Sequence, residues 1–103
     1  MRDITFNSVT AFLDGKSFKQ SNMQASSNGS ESVLQYHGNT IARKDLETGK
    51  IQITNCGWET TTTKERLNGV ISLSGAGILP VYQKSFIWYL NGYEWNGNLI
   101  QIN

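Results

Sequence analysis

The sequence is poor in three features that would narrow its function at once: cysteine, net charge and long apolar runs. Cys56 is the only cysteine, which excludes an internal disulfide and a cysteine-rich metal cluster. Nine basic and eight acidic side chains give a formal net charge of +1, so no strong field steers the chain to nucleic acid or to anionic lipid. No apolar run approaches the roughly 18 residues of a membrane span, and the first residues lack the apolar core of a signal peptide. We therefore expect a soluble protein that stays in the compartment where it is made.

The chain has the usual length of one domain. Its 103 residues leave no room for two separate cores, so we expect a single domain over residues 1–103. Apolar residues make up 38% and charged residues 17%, both below the usual shares, while Gly, Asn, Ser and Thr are abundant. This composition indicates a surface that is largely neutral and polar.

The N-terminal segment has the pattern of a short amphipathic helix. Apolar residues recur at helical spacing from residue 3 to residue 13, and Asp3 or Thr5 is the expected N-cap. Gly15 follows Asp14 and suits the left-handed conformation of a helix C-terminus. A helix of this length does not persist alone, so it is expected to pack on a sheet.

A second helix is predicted in the middle of the chain. Thr62 and Glu65 have the spacing of a capping box, in which each side chain bonds a free amide at the helix start. The predicted buried stripe consists of Leu67, Val70 and Ile71. Lys64 and Arg66 are expected to face water, and the glycines within residues 74–77 end the helix.

Between these helices, turn signals divide the chain into antiparallel strands. A weak edge strand over residues 20–27 leads to an Asn28-Gly29 turn. Strands over residues 32–37 and 40–44 flank a predicted type II′ turn at Gly38-Asn39. The predicted register sets three pairs opposite each other: Tyr36 and Ile41, Leu34 and Arg43, His37 and Thr40.

One more strand follows before the second helix. A turn at residues 47–49 leads into residues 50–54, where alternation directs Ile51 and Ile53 toward the core. Four consecutive antiparallel strands are thus predicted in this half of the chain.

The C-terminal third is predicted to form further hairpins. Two short strands are expected around Gln83-Lys84, followed by a type I′ turn at Asn91-Gly92. This turn sets Trp88 opposite Trp95. The tail over residues 99–102 is either a last strand or a loosely packed segment. Together the patterns predict an α+β fold, an antiparallel sheet of hairpins with two short helices packed on one face.

Several strings resemble a family of small bacteriophage-encoded proteins that form a domain of unknown function. They are HGNTIA at residues 37–42, ITNCGW at 53–58, TTKERLN at 62–68 and WYLNG at 88–92, with Trp95 after them. The resemblance implies a viral origin and expression in the cytoplasm of a host bacterium, as an accessory or anti-host factor. It implies no catalytic residues.

Aromatic residues are concentrated near the C-terminus. The candidate partner-binding residues are Trp88, Tyr89, Tyr93 and Trp95. Large rings of this kind are typical binding hot spots and would dock a partner protein or a second copy of the chain. The alternative is that the same rings form the core, because aromatic residues dominate strands and bury large areas.

A second candidate site is basic and hydroxylated. Its residues are Arg43, Lys44, Thr62, Thr63, Lys64 and Arg66. Free amides at a helix start, hydroxyls and nearby cations would suit an anion or a single-stranded nucleic acid. Against this interpretation, the threonines are ordinary capping residues and acidic residues lie close by in the sequence.

The sequence gives little support for an enzymatic active site. Cys56 and His37 are the only thiol and imidazole, and as a nucleophilic pair they would need to lie within hydrogen-bond reach. The alternative is a small structural cysteine and a hairpin histidine. The acidic residues show no metal-ligand spacing, so neither a metal nor a cofactor is predicted.

The leading functional hypothesis is a non-enzymatic phage accessory protein that binds and modulates a host or phage macromolecule, such as a host defence system or a host enzyme. The alternative is a single-stranded nucleic-acid-binding protein. A small hydrolase that uses Cys56 is the third hypothesis.

Overall fold

Two helices and nine strands make up the fold. The computed structural model describes residues 1–103. The elements in chain order are α1 (Asp3–Asp14), β1 (Phe18–Gln20), β2 (Met23–Ser27), β3 (Glu31–Tyr36), β4 (Asn39–Asp45), β5 (Ile51–Ile53), α2 (Thr61–Ser74), β6 (Tyr82–Lys84), β7 (Ile87–Leu90), β8 (Tyr93–Glu94) and β9 (Ile100–Gln101). Neither helix has both the length and the apolar character needed to cross a membrane.

The strands form two separate antiparallel sheets. The larger has the order β1-β2-β3-β4-β5-β9, and the smaller has the order β6-β7-β8. Helix α1 packs on β1 to β3 and on α2, which contacts β4. The predicted α+β class, with hairpin-built antiparallel strands and two helices, is confirmed, although the hairpins divide into two sheets.

The main core lies between the helices and the large sheet. Val9 and Phe12 of α1 are fully buried, and so is Leu34 of β3. Ile51 and Ile53 are buried as their alternation predicts. The stripe predicted for α2 is also buried: Leu67, Val70 and Ile71.

The β3–β4 turn lies one residue earlier than predicted. His37 and Gly38 occupy its centre with φ of 51° and 78°, the two positive values of a type I′ turn. Consequently Leu34 lies opposite Ala42, and the predicted pairing with Arg43 is wrong. A register shift after Leu34 accommodates one extra residue, which allows both Ile41 and Ala42 to be fully buried.

The predicted edge strand over residues 20–27 is two strands. Ser21, with φ of 52°, turns the chain between β1 and β2. Strand β1 lies at one edge of the large sheet, so β2 is an inner strand. The next turn is also displaced, since Asn28 N–H donates to the Glu31 carbonyl across Gly29 and Ser30. Short polar segments with little alternation do not specify where a strand breaks.

The predicted N-terminal caps of both helices are wrong. Arg2 precedes α1 and makes no side-chain cap bond. Thr60 caps α2 by accepting from the Thr63 N–H, so Thr62 and Glu65 form no capping box. The C-termini agree with prediction, because Gly15 and Gly75 both adopt the left-handed conformation.

The small sheet is built from two tight hairpins. The predicted turn at Gln83-Lys84 is wrong, because these residues belong to β6 and the turn is at Ser85-Phe86. The Asn91-Gly92 turn is confirmed, with Leu90 paired to Tyr93. The tail forms β9, which pairs Ile100 with Ile53 of the large sheet.

Candidate partner-binding surface

The small sheet has one buried face and one exposed face. Along β7, Trp88 and Leu90 are buried, Ile87 is exposed and Tyr89 is half-buried. Strand β6 is exposed along its whole length. This alternation is typical of an antiparallel sheet that is covered on one side only.

Two of the four predicted partner-binding residues belong to the core. Trp88 is 3% exposed and Trp95 is 8% exposed, with ring centroids 6.3 Å apart. The Trp95 indole donates to the Asn98 carbonyl at 3.0 Å. The paired indoles therefore join the small sheet to the rest of the core and do not present a free surface.

The other two predicted residues do reach the surface. Tyr93 is 75% exposed on β8. Tyr89 is half-buried because its ring stacks on that of Tyr82, with centroids 5.0 Å apart and planes 10° apart. These tyrosines give the small sheet rigid aromatic surface.

Phe86 is the most exposed large apolar residue, and it was not among the predicted site residues. Its side chain is 91% exposed at the tip of the β6–β7 hairpin. Its φ of 69° and the φ of 51° at Ser85 lie in the left-handed region, which costs a residue with a Cβ about 1–2 kcal/mol. The sequence pattern does not predict Phe86 as a turn residue, because a turn centred on Gln83-Lys84 puts Phe86 within a strand.

A groove of about 490 Å³ runs beside this hairpin. Its lining residues are Asn55, Glu59, Phe86, Ile87, Trp88, Glu94, Trp95 and Asn96. Glu59 and Glu94 are the only charged residues in this set, and both are exposed. The groove thus combines aromatic walls with two carboxylates.

Hydrogen bonds between two loops fix one end of the groove. The Thr54 hydroxyl and the Asn55 N–H both donate to the Gly97 carbonyl, at 2.6 and 3.1 Å. Gly97 has φ of 86°, and a Cβ at this position would overlap the Asn55 amide group. Only glycine fits this close approach of the two loops.

The ITNCGW string is a strand followed by a turn. Trp58 N–H donates to the Asn55 carbonyl at 2.8 Å, with Cys56 and Gly57 at φ of 51° and 78°. This is type I′ geometry, and the Asn55 side chain supports it by accepting from the Gly57 N–H at 2.8 Å. The turn leads directly to Glu59 at the groove.

Lys64 approaches Trp88. Its ammonium lies 5.6 Å from the centroid of the Trp88 ring, within the range of a cation–π interaction. It also donates to the Gln83 side chain at 3.1 Å. The Trp88 indole N–H has no hydrogen-bond partner.

Arg66 is buried, which contradicts the prediction that it faces water. It is 2% exposed, and its guanidinium donates to Thr5 of α1 at 2.8 Å and to Glu65 at 2.5 Å. Its charge also lies 6.0 Å from the ring centroid of Tyr36. Arg66 therefore ties the helices together, and it is not available to an anion at the surface.

Glu65 completes this cluster. Partial burial acts to raise its pKa, but hydrogen bonds from the Thr5 hydroxyl, Arg66 and the Arg2 N–H outweigh that effect and lower it. The carboxylate is consequently the form that the folded protein favours.

The other predicted anion-binding residues are separated by their contacts. Arg43 pairs with Glu31 at 2.5 Å, and Lys44 donates to the Leu13 carbonyl at 2.8 Å. Thr63 is buried beside the cap residue of α2, and Thr62 is half-buried. No hydrogen bond or ion pair connects the two basic residues of β4 with those of α2.

Cys56 and His37 are engaged with different groups. The thiol donates to the Thr40 carbonyl at 2.9 Å. The imidazole packs on the rings of Tyr36 and Trp58, with centroid distances of 4.5 and 5.9 Å. No hydrogen bond joins the thiol to the imidazole. No group of three or more His, Cys, Asp or Glu side chains is placed to hold a metal ion.

Comparison with known proteins gives the class first: the chain is a bacteriophage protein. It belongs to the family described as Kyanoviridae Gp96 protein, whose model matches residues 1–101. No curated protein and no solved structure matches the chain. The phage origin implied by the resemblance of the sequence strings is thereby confirmed.

Proposed function

We propose that this phage protein binds a protein partner through the exposed hairpin of its small sheet, and modulates that partner without chemical turnover. The observation that carries the proposal is Phe86, which is 91% exposed at a hairpin tip. Monomeric proteins gain nothing in stability from such a residue, whereas a partner pocket would remove its whole ring from water. Full burial of a phenylalanine contributes about 1.5–3 kcal/mol.

The backbone around Phe86 also supports a binding role. Two consecutive residues with a Cβ, Ser85 and Phe86, adopt left-handed φ values. Strained backbone of this kind concentrates at functional sites, where a required side-chain direction outweighs local stability. Paired strands on both sides of the turn hold the backbone of Phe86 in place, so little backbone freedom is lost on binding.

The charges favour a protein over a nucleic acid. Arg66 is buried and Arg43 is paired, so neither presents a free cation to phosphate. The carboxylates of Glu59 and Glu94 lie in the groove beside Phe86 and would repel a phosphate backbone. We therefore propose that the partner is a host or phage protein of the bacterial cytoplasm, such as a host enzyme or a host defence protein.

A pull-down with matched variants tests the proposal. Tagged wild type, Phe86→Ala and Phe6→Ala would be exposed to lysates of infected and uninfected host cells, with and without nuclease. Phe6 is the control, because it is also exposed, at 50%, but lies on α1. We expect a protein that wild type and Phe6→Ala retain and that Phe86→Ala loses.

Other outcomes of the same experiment contradict the proposal. Equal retention by all three proteins would show that Phe86 is not the anchor. Capture that disappears with nuclease would favour the nucleic-acid alternative. If the only retained species were the chain itself, a second copy would replace the separate partner. In a separate assay of the biological effect during infection, loss of that effect in Cys56→Ala would favour the thiol-dependent hydrolase.

A further inference from the structure

We infer that the groove beside Phe86 accepts a basic segment of the partner, with an Arg or Lys side chain placed between Glu59 and Glu94. This inference deepens the proposed function and rests on it. It adds the chemistry of the partner, which the exposed phenylalanine alone does not define.

The first support is that the groove carboxylates have no partners within the chain. Glu31 and Glu65 are both paired with arginines. In contrast, the side chains of Glu59 and Glu94 make no ion pair and accept no hydrogen bond. A cation from another molecule would therefore find two carboxylates ready to accept its N–H groups.

The second support is the aromatic wall. Phe86, Trp88 and Trp95 line the same groove as the two carboxylates. The face of an aromatic ring attracts cations, and the Phe86 ring, which is 91% exposed, is free to take part in such a contact. The aliphatic part of an arginine or lysine would pack on the exposed Phe86 ring while its charged group meets a carboxylate.

No basic residue of the chain lines the groove. Lys64 donates to Gln83 and does not line the groove. Lys84 lies opposite Ile87 in the β6–β7 register and is likewise outside the lining set. A basic segment therefore fits the local charge, whereas an acidic one would be repelled.

The shape of the groove is fixed before binding. The bonds from Thr54 and Asn55 to Gly97 join the loop before α2 to the loop before β9. The first loop carries Glu59, and the second follows directly on Trp95 and Asn96. A preformed site of this kind binds without paying for loop ordering.

The indole N–H signals of the three tryptophans provide a direct test by NMR. The labelled full chain would be titrated with capped Gly-Arg-Gly, Gly-Lys-Gly and Gly-Glu-Gly peptides. We expect the basic peptides to shift the Trp88 and Trp95 signals and to leave Trp58 unmoved, because only the first two indoles line the groove. The acidic peptide should shift none of them.

Substitution of the carboxylates gives the decisive control. In Glu59→Gln/Glu94→Gln, which keeps the size and exposure of both side chains, we expect about 3- to 10-fold weaker binding of the basic peptides. The single variants should lie between the double variant and the wild type. Equal affinity of the double variant and the wild type, or equal shifts with the acidic peptide, would overturn the inference.

The same double variant separates this inference from the proposed function. Suppose that Phe86→Ala no longer captures the protein, whereas Glu59→Gln/Glu94→Gln captures it with unchanged affinity. The hairpin is then the contact surface, and the inference that the groove binds a basic segment is wrong. If Phe86→Ala retains the protein and the double variant loses it, the groove binds a basic segment and the role of Phe86 is wrong. If both variants retain it, both proposals fail.

Discussion

The two sheets of this protein use similar tight hairpins but differ in what covers them. In the large sheet, the turn at His37-Gly38 joins strands whose inner residues, such as Leu34, are fully buried under the helices. In the small sheet, the turn at Ser85-Phe86 joins β6, which is exposed throughout, to β7, of which only one face is buried. The large sheet thus holds the main core, and the small sheet exposes the surface proposed for binding.

The first prediction tests whether the inner face of the small sheet is true core. Trp88→Ala should lower the free energy of unfolding by about 3–5 kcal/mol, because it removes a ring that is 3% exposed. Tyr93→Ala, in which the lost ring is 75% exposed, should change stability by about 0.5 kcal/mol or less. Urea unfolding measures both, and a similar midpoint for the two variants would remove the distinction between the two faces.

The second prediction concerns the hydrogen bonds at Gly97 that join the loop before α2 to the loop before β9. Gly97→Ala should cost about 2–4 kcal/mol, since it adds left-handed strain and an overlap with the Asn55 amide. Gly29→Ala is the matched control, with φ of 90° but nothing near the added methyl group, and should cost only about 1 kcal/mol. If thermal or urea unfolding showed the same loss of stability for the two variants, the contact between Gly97 and Asn55 would not restrict the residue at position 97.

The third prediction is a pH dependence in the helix pair beneath the large sheet. The pKa of Glu65 is lowered in the folded protein, so its contribution to stability is full above the ordinary value of 4.5. That contribution is lost as the pH falls below this value, because the unfolded chain takes up the proton more readily.

Glu65→Gln should therefore be less stable than wild type near neutral pH, by about 1 kcal/mol, and should lose less stability on acidification. Glu47→Gln, an exposed turn residue, is the control. Urea midpoints over a range of pH give the comparison, and parallel curves for Glu65→Gln and wild type would contradict the assigned role.

The smallest expected effect on stability is that of substituting Phe86, the residue proposed to matter most for binding. Phe86→Gly relieves left-handed strain but increases the freedom of the unfolded chain, so stability should rise by about 1 kcal/mol or stay unchanged. A loss of more than about 1 kcal/mol would show that Phe86 supports the fold and is not displayed for a partner.

Much of the secondary structure could be predicted because it depends on local pattern. The helical repeat of α1 and the glycine at its end place it within a residue of its observed bounds. The alternation at Ile51 and Ile53 identifies their buried face, and Asn91-Gly92 specifies its turn and register. In each case the structure is specified by a few residues that are close together in the sequence.

The candidate site was predicted only in part, because exposure is decided by distant contacts. Trp88 and Trp95 have the residue type of binding anchors, yet they pack on each other in the core. Tyr93 is exposed as a binding residue should be, and Phe86 was missed because its turn lies two residues later than predicted. No property of a single aromatic residue tells which side of a sheet will be covered.

The sequence by itself determined the α+β class, the positions of both helices and the phage family, because these depend on local periodicity and on strings of residues. Tertiary structure alone decided that Arg66 is buried against Thr5 of α1, about sixty residues away, and that the hairpins divide into two sheets. It also decided that Phe86 points into solvent beside two unpaired carboxylates. The physical reason is that burial and charge pairing are properties of contacts between distant segments, which no local pattern contains.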